Sequence, residues 1–382
     1  MKKEKSLCKY FMIAFALFLF SPAYAQEQEN LITKTKTIEK VFNDSNISAL
    51  FVINSFGDIN ISTWKSNRLE MTIEVEVSGW EEEDVDLFLE KLLPEPYSSG
   101  DVEGVTVISV YNFKLNKNCC CPDEKKVYRP LFGKKAEVKS YRINYDIKIP
   151  ETVDFVNLGN TYGNISIPSF KGKLIVNVRN GDLKTGNLDL VSCECPGIKV
   201  RYGRVNLGEV NNGILNFYSC ELVKIAALND SKLTSSFSNV QLGRASGVSL
   251  QSKSDDYLID NLDSLSGKGQ FTTLSIEKLG QYLNFNNRSG EIIVNKINPD
   301  FKSIVLDGQY NHYSLDLSGL EYLFSAKLES TELNCIESIC SKSFQNEAMS
   351  SSITFNKKIG SGESLSRISL NCSKCNIDLK TD

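Results

Sequence analysis

The stretch Tyr162-Gly-Asn-Ile-Ser-Ile167 decides the fold, because variants of it return along the chain. In each copy an aromatic or small polar residue precedes Gly, Ser, Asn or Asp, and apolar residues then occupy alternate positions. Such recurrence indicates a repeat protein, here with successive copies about 16–22 residues apart after residue 160, counting a degraded copy near Cys220. The copies begin at Phe56, Tyr162, Asn180, Tyr202, Phe237, Asp256, Phe271, Ser289 and Tyr310.

A second apolar stretch lies between consecutive copies, for example Leu174-Ile-Val-Asn-Val178 and Ile214-Leu-Asn-Phe217. Each repeat is therefore predicted to form two short strands, joined by turns of Gly, Asn, Asp and Ser that tolerate positive φ. The alternation places Ile165 and Ile167 on one face of a strand and Ser166 on the other. One such coil cannot bury its apolar face alone, so the coils must stack and share backbone hydrogen bonds.

The predicted fold is all-β, a parallel β-solenoid (β-helix) of about 18–20-residue coils with an N-terminal cap containing one amphipathic helix. Aromatic residues of one corner, such as Tyr162, Tyr202, Phe237 and Phe271, are expected to lie above one another and pack. The alternative is an antiparallel sandwich, which predicts strand signals about 8–12 residues apart without self-similarity. The recurrence favours the solenoid.

The N-terminal residues predict export. Residues 1–25 combine a lysine-rich start, the apolar run Phe11–Phe20 and the small-x-small site Ala23–Ala25, the three parts of a secretory signal peptide. The apolar run is too short to span a bilayer, which needs about 20 residues in a helix. The protein is therefore expected in the periplasm, at the cell surface or secreted, and not as an integral membrane protein after cleavage. Removing four lysines and one glutamate changes the formal net charge from −4 to −7, which argues against nucleic acid as a partner.

The rest of the chain divides into three regions. Residues 26–150 are predicted as an N-terminal β region, residues 151–320 as the solenoid repeats, and residues 321–382 as C-terminal coils or a cap with cysteine pairs. In the first region, apolar residues at helical spacing predict a helix over 78–93 that covers the first coil or, as the alternative, binds a partner. A hairpin of Val105–Val110 with Tyr141–Ile149 is expected beside it, interrupted by a Cys-rich insertion at 115–135.

Ten cysteines follow the signal peptide, and an even number in an exported protein favours disulfides. Zinc is the alternative, because Cys372-x-x-Cys375 has ligand-like spacing, but a zinc site usually needs a second such pair. The connectivity stays open at this point, and the 119–121 insertion has partners available in 193, 195 or 220. The candidate disulfide residues are Cys119, Cys120, Cys121, Cys193, Cys195, Cys220, Cys335, Cys340, Cys372 and Cys375.

The run Tyr145-Asp-Ile-Lys-Ile-Pro150, followed by Asn160-Thr-Tyr-Gly-Asn-Ile-Ser-Ile167, Gly172-Lys-Leu-Ile-Val176 and Asn180-Gly-Asp-Leu183, resembles adhesin-like β-strand-repeat families of unknown function from Gram-negative bacteria, including auto-transporter adhesin head domains. The resemblance covers roughly residues 45–80 and 140–320. It implies a β-solenoid, export and no known catalytic residues. The triple-cysteine insertion and the cysteine-bearing residues 320–382 depart from the pattern.

Few residues offer catalytic chemistry. His312 is the only histidine, so a Ser-His-Asp or Cys-His system would need it as the base, and its aromatic neighbours favour a structural or surface role. One histidine also excludes zinc hydrolase sites of the three-histidine type. No catalytic, cofactor-binding or metal-binding residue is therefore predicted.

Pairs of charged residues are predicted to lie on solvated faces. Asp255 and Asp256 are adjacent, so a strand points them to opposite faces. Two other pairs, Asp182 with Arg204 and Glu291 with Asp307, could meet on the same face of adjacent coils, as a working pair would need, and both are interpreted as solvated surface.

The predicted function is that of a non-enzymatic, adhesin-like binding or scaffold protein of the cell envelope. Its partner would be an unidentified glycan, an envelope protein or a second copy of the chain. The alternative is a carbohydrate-active enzyme, a polysaccharide lyase or hydrolase, on a β-helix. A groove with two carboxylates about 5–10 Å apart beside an aromatic platform favours the enzyme, whereas a flat face rich in Asn, Ser and Lys favours binding.

Overall fold

The structure is a computed structural model of the 382-residue chain. The predicted signal peptide and most of the Cys-rich insertion lie outside the described residues. Those residues are 31–43, 47–92, 94–99, 104–108, 114–115, 122–123, 138–191, 197–335, 339–340, 345, 348–349, 351–361 and 366–381.

Strands make up most of the described chain, which confirms the all-β class. The N-terminal elements are β1 Ile32–Phe42, β2 Ala49–Ser55, β3 Ile59–Trp64, β4 Leu69–Gly79, α1 Glu82–Leu92, β5 Tyr97–Ser99, β6 Gly104–Ile108, β7 Lys114–Leu115, β8 Pro122–Asp123 and β9 Val138–Pro150. The repeats contain β10 Phe155–Thr161, β11 Ile165–Ile167, β12 Phe170–Arg179, β13 Leu183–Thr185, β14 Leu188–Leu190, β15 Ile198–Arg201, β16 Arg204–Asn211, β17 Ile214–Tyr218, β18 Leu222–Asn229, β19 Lys232–Ser236, β20 Asn239–Ser246, β21 Val248–Lys253, β22 Asp256–Gln270, β23 Thr273–Ile297 and β24 Ser303–Asp316. The C-terminal strands are β25 Tyr322–Glu329, β26 Glu332–Asn334, β27 Ser352–Ile359, β28 Arg367–Ser373 and β29 Asn376–Lys380.

Consecutive repeats pair in parallel along three faces. Parallel pairings close ten of the strands into a ring, and further strands extend it. Face A joins, in spatial order, β2, β10, β12, β15, β17, β19, β21, β22, β23, β24, β28 and β25. Face B joins β3, β11, β13, β16, β18, β20, β22, β23, β24, β29 and β26. Face C joins the start of β12 to β14, to the ends of β16, β18 and β20, and to Asn261–Leu262 of β22 and Lys278–Leu279 of β23.

The core is built from rows of apolar side chains that lie in register across the repeats. Ile165 and Ile167 are buried while Ser166 between them is partly exposed, so the predicted alternation is correct. Each step of such a row is one rung, about 4.8 Å from the next. One row on face B consists of Ile59, Ile165, Leu183, Val205, Val223, Val240, Tyr257 and Leu274, all buried.

The N-terminal cap is an antiparallel sheet of β1, β4 and β9, and β9 continues in parallel onto β3. The helix α1 packs on this sheet through Val85, Phe88 and Leu92. It begins at Glu82 rather than at residue 78, because Ser78 and Gly79 extend β4 and pair with β1. No helix in the described part of the chain is long and apolar enough to cross a membrane.

The predicted hairpin between residues 105–110 and 141–149 is wrong. Strand β6 pairs in parallel with β2 and antiparallel with β5, whereas β9 pairs with β3 and β4. The two segments extend different faces: β6 adds a strand to face A and β9 adds one to face B. Each therefore provides hydrogen-bond partners for the free edge of a different strand, β6 for β2 and β9 for β3.

The C-terminal strands are stacked out of chain order. Strands β28 and β29 pair with β24 on one side, and with β25 and β26 on the other. The end of the chain thus occupies the rung between two segments that precede it in sequence. Strand β27 then pairs antiparallel with β25, which covers an edge that would otherwise be open to another chain.

Two disulfides lie in the C-terminal region, Cys335–Cys340 and Cys372–Cys375. In contrast to the prediction, Cys220 forms no disulfide with any described cysteine; it is a buried thiol whose Sγ lies 3.6 Å from the carbonyl oxygen of Val200. Its position in the repeat points its side chain into the interior. The predictions for residues 119–121, 193 and 195 concern cysteines outside the described residues.

We expect thiol reagents to distinguish these cysteines. Burial raises the pKa of the Cys220 thiol and shields it from solvent. Cys220 should therefore react only once the protein is unfolded, and it should then react even when no reductant is present. The two disulfide pairs should react only after reduction. Peptide mapping of alkylated protein measures this, and alkylation of Cys372 in folded, unreduced protein would contradict the pairing.

Substitution at Ile165 tests the interior. Ile165→Asp places an unpaired charge in the buried face B row and should lower the free energy of unfolding by about 3–5 kcal/mol. Ser166→Asp, one residue away on the outer surface, is the matched control and should change it by less than about 0.5 kcal/mol. Urea denaturation of both variants makes the comparison, and equal stabilities would show that Ile165 is not inside.

Candidate functional site: an aromatic ridge at one corner

Every rung turns from face A to face B through a single residue with positive φ. The backbone N–H of this corner residue donates to the end of the neighbouring face A strand, as Tyr162 does to the carbonyl oxygen of Arg179 at 2.9 Å. The corner residues share φ values of 48–61°. In spatial order they are Phe56, Tyr162, Asn180, Tyr202, Ser219, Phe237, Ser254, Phe271, Ser289, Tyr310, Lys374 and Ser330.

The residue that follows the corner explains the glycine of the repeat. At Gly163 a Cβ atom would lie 1.8 Å from the carbonyl oxygen of Gly57 on the neighbouring rung, so only glycine fits. Later rungs replace this glycine with an inward-pointing side chain, such as Ser238, Asp255 or Asn311. Cys220 occupies the same position, which is why its thiol is buried.

Six corner residues form an exposed aromatic ridge. Their side chains are 41–56 % exposed, and from Tyr162 to Tyr310 they occur on every second rung. Asn180, Ser219, Ser254 and Ser289 hold the rungs between. Successive rings of this part are therefore about 10 Å apart. The ridge consists of Phe56, Tyr162, Tyr202, Phe237, Phe271 and Tyr310.

Contacts between the rings are local. Phe56 and Tyr162, on adjacent rungs, stack with centroids 5.1 Å apart. Tyr218 lies between Tyr202 and Phe237 at 5.6 and 5.8 Å. The prediction that the aromatic residues share a corner is correct. The predicted continuous packing is not observed, because small residues at alternate corners separate the rings.

Aromatic residues at these corners carry a conformational cost. Positive φ brings Cβ close to the backbone and costs roughly 1 kcal/mol or more for a residue other than glycine, whereas asparagine tolerates it. Asn180 makes the same turn as Tyr162 and Tyr202. The backbone thus does not require the rings, and their exposure contributes little burial. This combination of strain and exposure is typical of a functional surface.

A spine of buried polar side chains supports the ridge from inside. Asn160 donates through Nδ2 to the carbonyl oxygens of Gly57 and Asn164, at 2.7 and 3.0 Å. Asn287 and Asn311 make similar bonds to carbonyl oxygens of neighbouring rungs. These amides tie the turns of neighbouring rungs together through side-chain to backbone hydrogen bonds.

Asp255 is the charged member of this spine. Its carboxylate accepts hydrogen bonds from the hydroxyls of Ser235 and Ser252, both at 2.6 Å, and from the backbone N–H groups of Ser238 and Lys253, at 2.8 and 3.0 Å. Tyr257 is hydrogen-bonded to Ser235, and burial raises the pKa of its hydroxyl. The network fixes the corners that carry Phe237 and Ser254.

Face A is polar beside the ridge. Its last outward position before each corner holds arginine, lysine, glutamine or serine on most rungs, for example Arg201, Lys253, Gln270 and Arg288. Near Tyr310 this surface forms a groove of about 480 Å³. Its lining includes Arg288, Asp307, Gln309, Lys327, Glu329 and Asn371. An aromatic edge therefore borders a flat, hydrogen-bonding surface.

The predicted charged pairs have mixed outcomes. Arg204 does meet Asp182, with Nε 3.4 Å from Oδ2, on partly exposed side chains. Asp255 is buried and Asp256 exposed, as expected from adjacent positions.

Glu291 does not meet Asp307, because the chain turns between them: Asp307 pairs with Asn286 on face A, while Glu291 pairs with His312 on face B. His312 Nε2 lies 3.6 Å from Glu291 and also 3.6 Å from Asp378. Asp378 was missed because β29 reaches this site out of chain order. Within the described residues, no group of three His, Cys, Asp or Glu side chains is arranged to hold a metal ion.

Comparison with known proteins gives distant likenesses. No protein-family model and no curated protein matches the chain. A provisionally named adhesin from Bacteroides fragilis has a TM-score of 0.30 and 10 % identity, over 73 % of this chain and 97 % of that one. A provisionally named cell adhesion protein from Clostridium sporogenes has a TM-score of 0.19 and 10 % identity, over 91 % of this chain and 100 % of that one. At these TM-scores neither likeness bears on function, and the resemblance to Gram-negative families stays a prediction.

Asp255 offers a test of the spine. Asp255→Ala leaves two buried N–H groups and two hydroxyls without their acceptor, and should lower the free energy of unfolding by about 3 kcal/mol. Asp256→Ala, at the exposed neighbouring position, should change it by less than about 0.5 kcal/mol. Thermal and urea denaturation measure both, and a stable Asp255→Ala protein would contradict the supporting role.

Proposed function

We propose that the chain is an exported, non-enzymatic binding protein of the cell envelope, and that the aromatic ridge with the adjoining part of face A binds a glycan. The observation that carries the proposal is the row of exposed aromatic side chains held at strained corners. Sugar rings present an apolar C–H face and a hydroxyl rim. An aromatic ring packs on the first, and polar side chains such as those of face A hydrogen-bond to the second.

The proposed architecture is a parallel β-solenoid of about 18–20-residue coils. Parallel pairing of each repeat with the next on faces A, B and C supports it, as does the single corner residue per rung. A solenoid provides a long surface on which one residue position is repeated at every rung. Such a surface suits a polymeric ligand better than a small one.

Export is supported by the N-terminal sequence pattern and by the two disulfides, which persist in oxidising compartments. The predicted signal peptide precedes the first described strand. An envelope location would bring the ridge into contact with polysaccharide.

The alternative of a polysaccharide lyase or hydrolase has less support. The groove near Tyr310 contains two carboxylates, Asp307 and Glu329. They differ by two rungs and two residues along the strand, so their Cα atoms are about 12 Å apart by strand geometry. A hydrolytic pair has carboxyl groups about 5–10 Å apart. Asp307 and Glu329 would come that close only if both side chains extended toward each other over Asn371.

Replacing ridge aromatics with asparagine should weaken binding without unfolding the protein. The triple variant Tyr202→Asn, Phe237→Asn, Phe271→Asn introduces asparagine, which tolerates positive φ. Its melting temperature should therefore equal or exceed that of the parent. Its affinity for the glycans that the parent binds on an array should fall about tenfold or more.

The matched control is Tyr282→Asn, which removes an equally exposed aromatic ring away from the ridge. It should bind as the parent does. A folded triple variant with parental affinity would contradict the proposed site, and a parent protein that binds no glycan on the array would contradict the proposed function.

A further inference from the structure

The positions next to the corner differ in charge between the two sides of the aromatic ridge. On face A, the two outward positions before the corner hold at least one cation on five of the seven rungs from Asn180 to Ser289, and hold no carboxylate on any of them. The rungs of Ser219 and Phe237 have neutral residues there. The first carboxylates at these positions, Asp307 and Glu329, lie on rungs beyond that of Ser289. The cations are Arg179, Lys199, Arg201, Lys253, Lys268 and Arg288.

On face B, the first outward position after the corner is mostly acidic or amide, with Arg204, Thr273 and His312 as exceptions, and several of these residues serve the fold. The side chain of Asp58 accepts from the backbone N–H of Asn164, that of Asn164 from Asp182, and that of Asp182 from Arg204, at 2.8–2.9 Å. These bonds link one rung to the next. The face B row therefore has a structural explanation within the chain.

The face A cations have no such explanation. Among the described residues, none of these six side chains forms an ion pair or a side-chain hydrogen bond. Arg179, Lys253 and Arg288 are exposed. These cations give the positions before the corners a local positive charge in a chain with formal net charge −4, and they lie where a ligand on the ridge would extend over face A.

The spacing of the rings restricts the shape of the ligand. From Tyr162 to Tyr310, successive ridge aromatics are two rungs, about 10 Å, apart. An extended β-1,4-linked glycan presents equivalent sugar faces once per disaccharide, a repeat of about the same length. A chain of this kind lying along the stacking direction would place one sugar of each disaccharide on a ring.

We infer that the ligand is an extended, anionic β-1,4-linked polysaccharide, with its sugar faces on the aromatic ridge and its carboxylates or sulfates on the face A cations. This inference rests on the proposed glycan-binding function and specifies the class of glycan. Arginine and lysine provide charge-assisted hydrogen bonds to such groups. A second copy of the chain, pairing face A of one copy with face B of the other, is the competing occupant.

Two oligosaccharides that differ only at C6 of each sugar test the inference. A β-1,4-glucuronan hexamer and cellohexaose share a backbone, but only the first carries carboxylates. The parent protein should bind glucuronan about tenfold more tightly than cellohexaose, and this preference should shrink as salt is raised. Oligogalacturonate, equally charged but α-1,4-linked, should bind more weakly than glucuronan.

Charge-neutral variants complete the design. The triple variant Arg201→Gln, Lys253→Gln, Arg288→Gln should bind glucuronan about tenfold more weakly than the parent does. Its affinity for cellohexaose should equal that of the parent. Lys184→Gln, Lys224→Gln, Lys278→Gln removes the same charge from exposed positions on faces B and C, and should bind glucuronan as the parent does. Calorimetry with all three proteins gives the affinities.

The outcomes separate the two proposals. Equal affinity of the parent for glucuronan and cellohexaose would overturn the anionic ligand while leaving glycan binding in place. A second outcome is that the parent binds neither oligosaccharide and sediments as a dimer, and that the three Gln substitutions at Arg201, Lys253 and Arg288 abolish the dimer. This outcome would overturn both glycan binding and the anionic ligand, and would identify the ridge as a contact between copies.

Discussion

Backbone hydrogen bonds from each repeat to the next are the interaction on which this structure depends. A single repeat has two or three short strands and no interior of its own. Only when a neighbour lies one rung away do residues such as Ile165 and Leu183 become buried. The register between repeats must also be kept, because a shift by one residue would turn every buried side chain outward. The corner residue and its positive φ keep that register by returning the chain to the same place on each rung.

The same corner connects the fold to the proposed function. Inside, glycine or a polar side chain satisfies the turn, as Gly163, Asn160 and Asp255 do in different rungs. Outside, the corner residue is free to vary, since Asn180, Ser254 and Lys374 make the turn as well as Tyr202 does. Variation at a position that the backbone does not restrict allows a surface to acquire binding residues while the interior stays unchanged. Cys372 and Cys375 show the same freedom inside, where a disulfide spans positions taken by Asn287 and Thr272 elsewhere in the spine.

Much of the repeat region was predictable because its signals are local. The alternation around Ile165, the turn at Gly163 and the shared corner of Tyr162 and Tyr202 all follow from short-range sequence. The cap and the C-terminal region were not predictable in the same way. Whether Ser78 ends a strand or starts a helix depends on pairing with Thr33, far away in sequence. The insertion of β28 between β24 and β25 leaves no local signal, so the contact of His312 with Asp378 could not be predicted. The ridge was visible as aromatic residues in the repeat, but its every-second-rung spacing and its unpaired cations required the spatial order of the rungs.

Distances between corner residues give the most direct measurement of the central claim, that successive corners lie one above another. Spin labels at Asn180→Cys and Ser254→Cys should be about 19 Å apart, four rungs, and labels at Asn180→Cys and Ser289→Cys about 29 Å, six rungs. Pulsed electron spin resonance on the two doubly labelled proteins measures both separations. The account predicts that the second exceeds the first by about 10 Å, and separations that do not increase with the number of rungs would contradict it.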